Sequence, residues 1–469
     1  MVYAERRPMA KGPHDLKRFI IPVAGLLILS GCAAPDPDAA FRDLGQLVDS
    51  RLPEPVTWRT GGPEDAAVDK RIDEILATTL SETSAVQVAL LNNRKLQARY
   101  AELGIAQADV VQAGLLQNPV FEIMVRPSTE DGTNIELGLT QNFVDLLMRP
   151  ALKKIAEAEY DAVRLELAAH LVAFVGDVQA TYYDHVGAKA EHAVVVEMAI
   201  TEQDAADLST AFHTAGNISD LEHAEHLANA AELRAELYEA ETAMKESRIE
   251  LALLLGVSPS DQWIVPSRLS PLPEATVRLA GLEDRAVRKR FDLSAHRSEL
   301  QAALEELGFE KGFRLFEEGD LSVSAEREPD GAWLIGPALE LPLPIFDQGQ
   351  ARVAGAALAV RGMRDRLLAE EREVRADVNM TSDAMTLARA RSDHLRNTLL
   401  PLREEIVQLT LAEYNYMLES PFQLLETQQN TNETYRDYVE ALTDYWVARA
   451  KLRASAGGEP LETDLGDAS

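Results

Sequence analysis

The chain repeats itself once, and this internal repeat constrains its fold more than any other feature of the sequence. Each copy holds two short segments of alternating apolar and polar residues around a turn, then a Phe, and an Arg six positions later. Phe143 and Arg149 of the first copy correspond to Phe346 and Arg352 of the second, an offset of 203 residues. Because a repeat uses one structural unit twice, the sequence predicts two copies of one unit rather than a series of unrelated domains.

The alternating segments predict four β-strands, two in each copy. They cover about residues 118–126 and 134–143 in the first copy and about residues 320–328 and 332–341 in the second. Each segment has one apolar face and one face of polar or small residues, a pattern shared by transmembrane barrel strands and by half-buried soluble hairpins. Four strands cannot close a barrel, for which about eight is the usual minimum. If these strands cross a membrane, several copies of the chain must pool them.

Two long helical stretches follow each strand pair. In the first copy, a stretch from Met148 to Phe212 would be about 100 Å long at about 1.5 Å per residue. It reverses at residues 212–220, and the second copy reverses at residues 414–422. Sustained apolar heptads with alanine at many contact positions predict closely packed coiled-coil hairpins. The sequence therefore predicts a mainly α fold with a small β portion, built as two tandem repeats.

The amino terminus has the layout of a secretory signal peptide. A basic segment precedes the apolar run Phe19–Leu29, which is too short to span a bilayer as a helix. The next residues complete the pattern Leu-Ser-Gly-Cys, which resembles the bacterial lipobox and ends at Cys32, the single cysteine of the chain. This match implies that residues 1–31 are removed and that Cys32 is lipidated, and several acyl groups would give a lasting anchor. A buried structural cysteine behind an ordinary signal is the alternative.

The mature chain is strongly acidic. Removal of the signal would leave 41 of the 46 basic and 75 of the 77 acidic residues, a net charge of −34. This charge argues against nucleic acid as a partner. Since there is no second cysteine, no intramolecular disulfide can form, and stability must come from packing or assembly.

The remaining boundaries follow from the repeat. Residues 32–69 contain five prolines and predict an extended arm after the anchor. The first repeat is predicted at residues 70–270, the second at 271–458, and an acidic tail at 459–469.

No motif of a catalytic or cofactor site is present. The sequence lacks a Gly-rich phosphate loop, a Gly-x-Ser-x-Gly elbow and a His-Glu-x-x-His motif, which disfavours an exported hydrolase. The nearest approach to a metal site is His223 with His226, three residues apart beside the first helical reversal. This spacing can hold a metal ion, but such residues are also common on solvated helices, so no metal ligand is assigned.

The combination of these features resembles the TolC-type outer-membrane efflux factors. The resemblance rests on the lipobox, "LLQNPVF" (115–121), "RKRFDL" (288–293), "LPLPIFDQGQAR" (341–352), both helical reversals and the closing residues 435–457. It implies a homotrimer in which three protomers pool four strands each into a twelve-strand β-barrel, continued by an α-helical tunnel across the periplasm. The implied function is a passive exit duct of a tripartite efflux system, with a periplasmic adaptor and an inner-membrane pump as partners and no cofactor.

The resemblance also implies functional positions at the helical reversals. Glu426 in "QLLETQQ" (423–429) matches an acid that rings the closed tunnel end, whereas Gln423 stands where a second acid can occur. An ordinary surface acid is the alternative for Glu426. Leu418 stands where the family usually has glycine. The residues that match adaptor-contacting turns are Ala215, Gly216 and Asn217 in the first reversal and Met417, Leu418 and Glu419 in the second.

A second functional hypothesis is a lipid-anchored periplasmic coiled-coil scaffold or adaptor, with its strands in a soluble domain and no transmembrane barrel. Adaptors of this kind generally carry one helical hairpin in a β-rich chain, whereas this sequence predicts two hairpins separated by paired strands. A detergent-stable trimer favours the duct, and a monomer that needs no detergent favours the scaffold.

Overall fold

The computed structural model describes residues 37–128, 132–315, 319–328 and 330–464. Within them, each half of the chain supplies a helix that leads into two strands and then two long antiparallel helices. The prediction of a mainly α fold with a small β portion is therefore confirmed. Cys32 and the signal peptide predicted at residues 1–31 lie outside the described residues.

The elements follow in the order that the repeat predicts. The first half contains α1 (Pro37–Val48), α2 (Asp65–Leu76), α3 (Glu82–Asn92), α4 (Arg94–Ala113), β1 (Val120–Ser128), β2 (Gly132–Asn142), α5 (Phe143–Thr214) and α6 (Asp220–Leu255). The second half contains β3 (Thr276–Val277), α7 (Leu282–Lys289), α8 (Phe291–Phe313), β4 (Asp320–Arg327), β5 (Trp333–Glu340), α9 (Gln350–His394), a π-helical segment (Leu395–Leu399), α10 (Leu400–Asn415), α11 (Pro421–Ser455) and β6 (Thr463–Asp464).

The arm predicted to be extended at residues 32–69 contains helix instead. Its α1 segment buries Ala40, Leu44 and Val48, which lie on one helix face because they are four residues apart. That face packs against α4 and α5. The prolines favour an extended chain, but Pro37 stands at the start of the helix, where proline is tolerated. The extended prediction is wrong for α1 and for the start of α2.

The acidic tail predicted at residues 459–469 takes part in the fold. Its β6 strand pairs antiparallel with β3, and the N–H of Arg278 donates to the carbonyl of Glu462 at 2.8 Å. The tail therefore ties α11 to the connection between the two halves. Residues 465–469 lie outside the described part of the chain.

The four long strands form one antiparallel sheet in the order β1-β2-β4-β5, so the two halves of the chain meet at β2 and β4. Residues that oppose each other share a face of such a sheet. One face is mostly apolar, with Thr133, Gln141 and Arg327 at its ends, and no described element of the protomer covers it. Its members that are half or more exposed are Phe121, Ile123, Val125, Leu139, Leu321, Val323, Ile335 and Leu339. Within the described residues, β1 and β5 each keep one edge without a strand partner.

Helix α5 is the longest element, with 72 residues, which is about 108 Å of helix. It packs against α6 in its own hairpin and against α11 of the other hairpin. Gly176 and Gly187 let α5 and α11 approach closely. A Cβ atom at Gly176 would lie 2.5 Å from the Cβ of Ala454, and one at Gly187 would lie 2.9 Å from the Cβ of Thr443. In the part of the chain described, no helix combines the length and the apolar character needed to cross a membrane.

Two of the three hydrophobic cores found in the described residues are large and lie beside the long helices. The first joins α1 to α4 with the middle of α5 and the end of α6, and it buries Tyr100 and Trp263. The second joins α7, the start of α8, α9 and α11, and it buries Tyr445. Tyr183 packs against both cores and stacks on Trp446, with the ring centroids 5.1 Å apart. The two repeats are therefore held together beside the strands as well as within the sheet.

We expect Gly187→Ala to destabilise the protein by about 1–3 kcal/mol, because the added methyl group overlaps Thr443. Thermal unfolding followed by circular dichroism measures the effect. The matched control is Gly308→Ala in α8, where nothing lies within 4 Å of the added carbon. This control should stabilise by about 0.5–1 kcal/mol because alanine loses less backbone freedom on folding. Thr443→Ala should recover part of the loss in Gly187→Ala, and an unchanged melting temperature for Gly187→Ala would contradict the close approach.

Candidate functional site

The first hairpin reverses at Ala215, Gly216 and Asn217, where an adaptor contact was predicted. Helix α5 ends there in a Schellman motif, since the N–H of Asn217 donates to the Phe212 carbonyl at 2.9 Å and the N–H of Gly216 donates to the His213 carbonyl at 2.9 Å. Gly216 has a φ of +74°, which glycine adopts without a steric penalty. Helix α6 then begins with a side-chain capping box. The first tip is therefore held by backbone hydrogen bonds at the end of α5 and by a side-chain cap at the start of α6.

The second hairpin reverses with the same hydrogen bonds but without a glycine. The N–H of Leu418 donates to the Glu413 carbonyl at 3.0 Å, and the N–H of Met417 donates to the Tyr414 carbonyl at 2.9 Å. Met417 is left-handed, with a φ of +59°, and no other described non-glycine residue has a positive φ. The position that favours glycine is therefore Met417, one residue before the position that the resemblance implied.

The second tip presents apolar side chains to solvent. Tyr416, Met417 and Leu418 are 79%, 93% and 73% exposed, and Glu419 beside them is also exposed. A run of exposed apolar side chains at a turn is typical of a protein interaction surface.

Phe422 joins the two hairpins just beyond their tips. Its ring contacts Phe212 of α5 edge to face, with centroids 5.5 Å apart, and stacks on His226 of α6 with centroids 4.4 Å apart. Offset stacked and edge-to-face arrangements are the favourable geometries for aromatic pairs. The start of α11 is therefore anchored on both helices of the first hairpin.

The two histidines considered as metal ligands have different partners. His223 stacks on His213 with ring centroids 4.7 Å apart, and its Nδ1 lies 3.0 Å from the hydroxyl of Ser209. His226 faces Phe422 instead. Among the residues that the structure describes, no group of three or more His, Cys, Asp or Glu side chains is placed to hold a metal ion.

Glu426 lies on α11 soon after the second turn and is exposed. Glu433 and Glu440 follow it at heptad spacing and are also exposed, so these three residues form an acidic face of α11. Glu440 pairs with Arg391 of α9 at 2.6 Å. Gln423, where a second acid was considered, lies in the first turn of α11, and its N–H donates to the N-cap serine. The structure thus leaves Glu426 as the exposed acid nearest the start of the helix on this face.

An acid of α5 lies close to this face. Burial raises the pKa of Glu202 above its ordinary value, the nearby His226 opposes this shift, and Glu433 adds to it. Ionisable groups of α5, α6 and α11 therefore interact electrostatically close to the two tips.

Both repeats match a known family. The model of the family described as outer membrane efflux protein matches residues 85–257 and 284–458, which include the long strands and long helices of each repeat. The chain belongs to the outer membrane efflux protein family. The predicted family, its two repeats, the outer-membrane location and the role in efflux are therefore confirmed.

Two relatives and one solved structure illustrate how far this outer membrane efflux protein has diverged. The cobalt-zinc-cadmium resistance protein CzcC of Cupriavidus metallidurans is 24% identical over 340 residues, which cover 70% of this chain and 78% of CzcC. The outer membrane protein OprJ of Pseudomonas aeruginosa is 24% identical over 405 residues, 80% of this chain and 83% of OprJ. A crystal structure of CusC aligns with a TM-score of 0.66 at 16% identity, covering 80% of this chain and 92% of that chain. At this identity the structural likeness shows the shared fold alone.

Sequence reasoning missed two residues of the tips. Met417 was considered only as part of the turn, because nothing in a methionine marks a left-handed position. The role of Phe422 depends on a contact between two hairpins that are far apart in sequence. The "SPF" segment that begins α11 nevertheless gave a local signal, since proline and a preceding serine mark a helix start.

We expect Met417→Gly to stabilise the second tip by up to about 1 kcal/mol. A left-handed residue with a side chain carries a steric cost of about 1–2 kcal/mol, which glycine removes. Part of this gain is offset because glycine loses more backbone entropy than other residues when the chain folds. The reciprocal change, Gly216→Met, should destabilise the first tip by about 1–2 kcal/mol. Limited proteolysis at each turn, read beside the melting temperature, measures both effects. Faster cleavage of Met417→Gly at the second turn would contradict the left-handed assignment.

Proposed function

We propose that this outer membrane efflux protein is a homotrimeric, passive exit duct of a tripartite system, which carries substrates from an inner-membrane pump across the periplasm and the outer membrane. The observation that carries the proposal is the open sheet β1-β2-β4-β5, with two unpaired edges and an uncovered apolar face. The proposed parts are a twelve-strand barrel, a helical tunnel, a gate at Glu426 and two adaptor-contacting tips.

The described residues of the protomer supply no strand partner for the two outer edges of the sheet. In hydrocarbon every backbone N–H and C=O needs an internal partner, so an open edge is not tolerated. If β1 of one copy pairs with β5 of the next, three copies remove all edges and point the apolar face outward. The scaffold alternative would leave the same apolar face, including Ile335 at 73% exposure, in water.

The helices also need neighbours. Several large apolar side chains along α9 and α10 are exposed in the protomer, among them Leu358 at 67%, Leu387 at 70% and Leu409 at 60%. Coiled-coil packing against an adjacent copy would bury them. With α5 about 108 Å long, such an assembly forms a tube of periplasmic dimensions.

The tips fit the adaptor contact. The first tip, Ala215 to Asn217, is held by its Schellman motif, and the second, Met417 to Glu419, exposes apolar side chains beside an acid. Preorganised turns with exposed apolar groups lower the entropic cost of docking.

Glu426 fits the gate. Three copies of one exposed acid at the narrow end of a tube would form a ring of negative charge that attracts cations. The relative CzcC is named for cobalt, zinc and cadmium resistance, which makes divalent cations the cargo class that we propose for the first transport assays.

The anchor and the boundaries complete the proposal. Lipidation at Cys32, after loss of residues 1–31, would fix the amino terminus to the inner face of the outer membrane. The repeats at residues 70–270 and 271–458 supply strands and hairpins, and a tail follows at residues 459–469.

We expect the purified protein to form ion channels in planar lipid bilayers and to be blocked by hexaamminecobalt(III) added on the periplasmic side. Glu426→Gln should raise the half-blocking concentration about tenfold, because three carboxylates act on each trivalent ion. The matched control is Glu440→Gln on the same face of α11, whose carboxylate Arg391 already pairs at 2.6 Å.

The two parts of this prediction fail separately. Absence of any channel from assembled protein would contradict the duct. Equal block of wild type and Glu426→Gln would contradict the gate assignment and leave the duct in place.

A further inference from the structure

A cleft of about 390 Å³ lies where the two repeats meet. Its walls are the start of α3, one face of α5, the last turns of α11 and the segment that follows α11. This volume is within the range of about 300–1,000 Å³ found for small-molecule sites. The cleft is far along the chain from the hairpin tips, and the proposed duct assigns it no role.

Two arginines that line the cleft have no acidic partner. Arg449 and Arg453 lie one turn apart on α11, and no carboxylate of the described residues is within salt-bridge distance of either guanidinium. Arg453 donates only to the backbone carbonyls of Gly458 at 3.2 Å and Arg51 at 3.5 Å. The Nε of Arg449 is buried and has no acceptor. In a chain with a net charge of −31, these two neighbouring cations make no salt bridge to any described carboxylate.

The acid nearest to these arginines is already occupied. Glu82, at the start of α3, accepts hydrogen bonds from the amide of Gln179 and from the hydroxyl of Tyr183, one on each carboxylate oxygen. Burial lowers the pKa of Arg453, Glu82 opposes this shift, and Arg449 adds to it. The protein therefore holds two guanidinium groups in a partly dry cleft whose one lining carboxylate, Glu82, is beyond salt-bridge distance and already hydrogen-bonded. A buried donor without a partner calls for a ligand or ordered solvent.

Part of the remaining lining is apolar, beside the polar side chains of Thr83, Gln179 and Tyr183. The Trp446 side chain lies beside the arginines, with the carbon of the Arg449 guanidinium 5.2 Å from its ring centroid. Ala450, Pro460 and Leu461 continue this surface. A ligand that contacts both the arginines and this apolar part of the cleft thus combines an anionic oxygen group with a compact apolar body.

We infer that the cleft is a binding site for a small organic acid, whose carboxylate lies between Arg449 and Arg453 and whose apolar part packs against Trp446 and Leu461. Guanidinium groups bind carboxylates through paired, charge-assisted hydrogen bonds. The walls of the cleft come from α3 and α5 of the first repeat and from α11 of the second, so the bound acid contacts both repeats at once. Binding therefore stabilises the folded chain.

Isothermal titration calorimetry of the full-length protein in mild detergent tests the site, with benzoate as the probe. Saturable binding of one benzoate per protomer is expected, together with a rise in melting temperature. Benzyl alcohol, the neutral analogue, should bind at least about tenfold more weakly, because hydrogen bonds to a charged group contribute about 1.5–3 kcal/mol. Inorganic phosphate should also bind more weakly than benzoate, since it lacks the apolar part.

Three variants assign the site. Arg449→Gln should weaken benzoate binding about tenfold or more, and Arg449→Lys, which keeps the charge, should lie between Arg449→Gln and the wild type. The matched control is Lys451→Gln, a neighbouring cation on α11 that lines other cavities and not this cleft. It should bind benzoate as the wild type does. The melting temperature of each variant without ligand reports whether it is folded.

The inference is overturned by absence of saturable benzoate binding, by equal binding to wild type and folded Arg449→Gln, or by benzyl alcohol or phosphate binding as tightly as benzoate. Loss of binding in Lys451→Gln to the same extent as in Arg449→Gln would also overturn it, because the effect would then reflect net charge rather than this cleft.

Discussion

The structure depends on one constraint, the need of every strand for a hydrogen-bonded neighbour. The two repeats each contribute a hairpin, and pairing of β2 with β4 merges them into one sheet. This pairing gives β2 and β4 neighbours on both sides, while β1 and β5 each keep one edge without a strand partner among the residues that the structure describes. In the proposed duct these strands cross the bilayer, where backbone groups cannot remain unpaired, so the sheet would close with other copies of the chain. The threefold symmetry, the barrel and the tunnel of the proposed duct all follow from this pairing of strands between copies.

Close helix packing links the position of the sheet to the position of the distant hairpin tips. Strand β2 passes directly into α5, so the position of the sheet sets the position of a helix of 72 residues. Gly187 and Thr443 then fix α5 against α11, and Phe422 fixes the start of α11 against the first hairpin. The acidic face of α11 is thus placed by packing in the body of the protein and by contacts just beyond the tips.

The parts of the fold with a regular period could be predicted from the sequence. The strands show alternation over about ten residues, and the helices show heptads over many turns, so both signals accumulate. Helix α1 was missed because proline content outweighed a short periodic pattern at Ala40, Leu44 and Val48. The left-handed Met417 and the contacts of Phe422 could not be predicted, because each depends on geometry that residue types do not encode locally. The cleft at Arg449 was missed for a related reason, because Arg449 and Arg453 are neighbours on α11 but the cleft beside them forms only when α3, α5 and α11 meet.

The central claim is that several copies of the chain share one barrel, and the mass of the membrane-extracted protein in mild detergent tests it most directly. Native mass spectrometry of the wild type should give a trimer, and Cys32→Ser, run beside it, should give a trimer that has lost the mass of its lipid. A lipidated monomer that leaves the membrane without detergent once Cys32 is replaced would contradict the account, because the four strands would then never enter the bilayer.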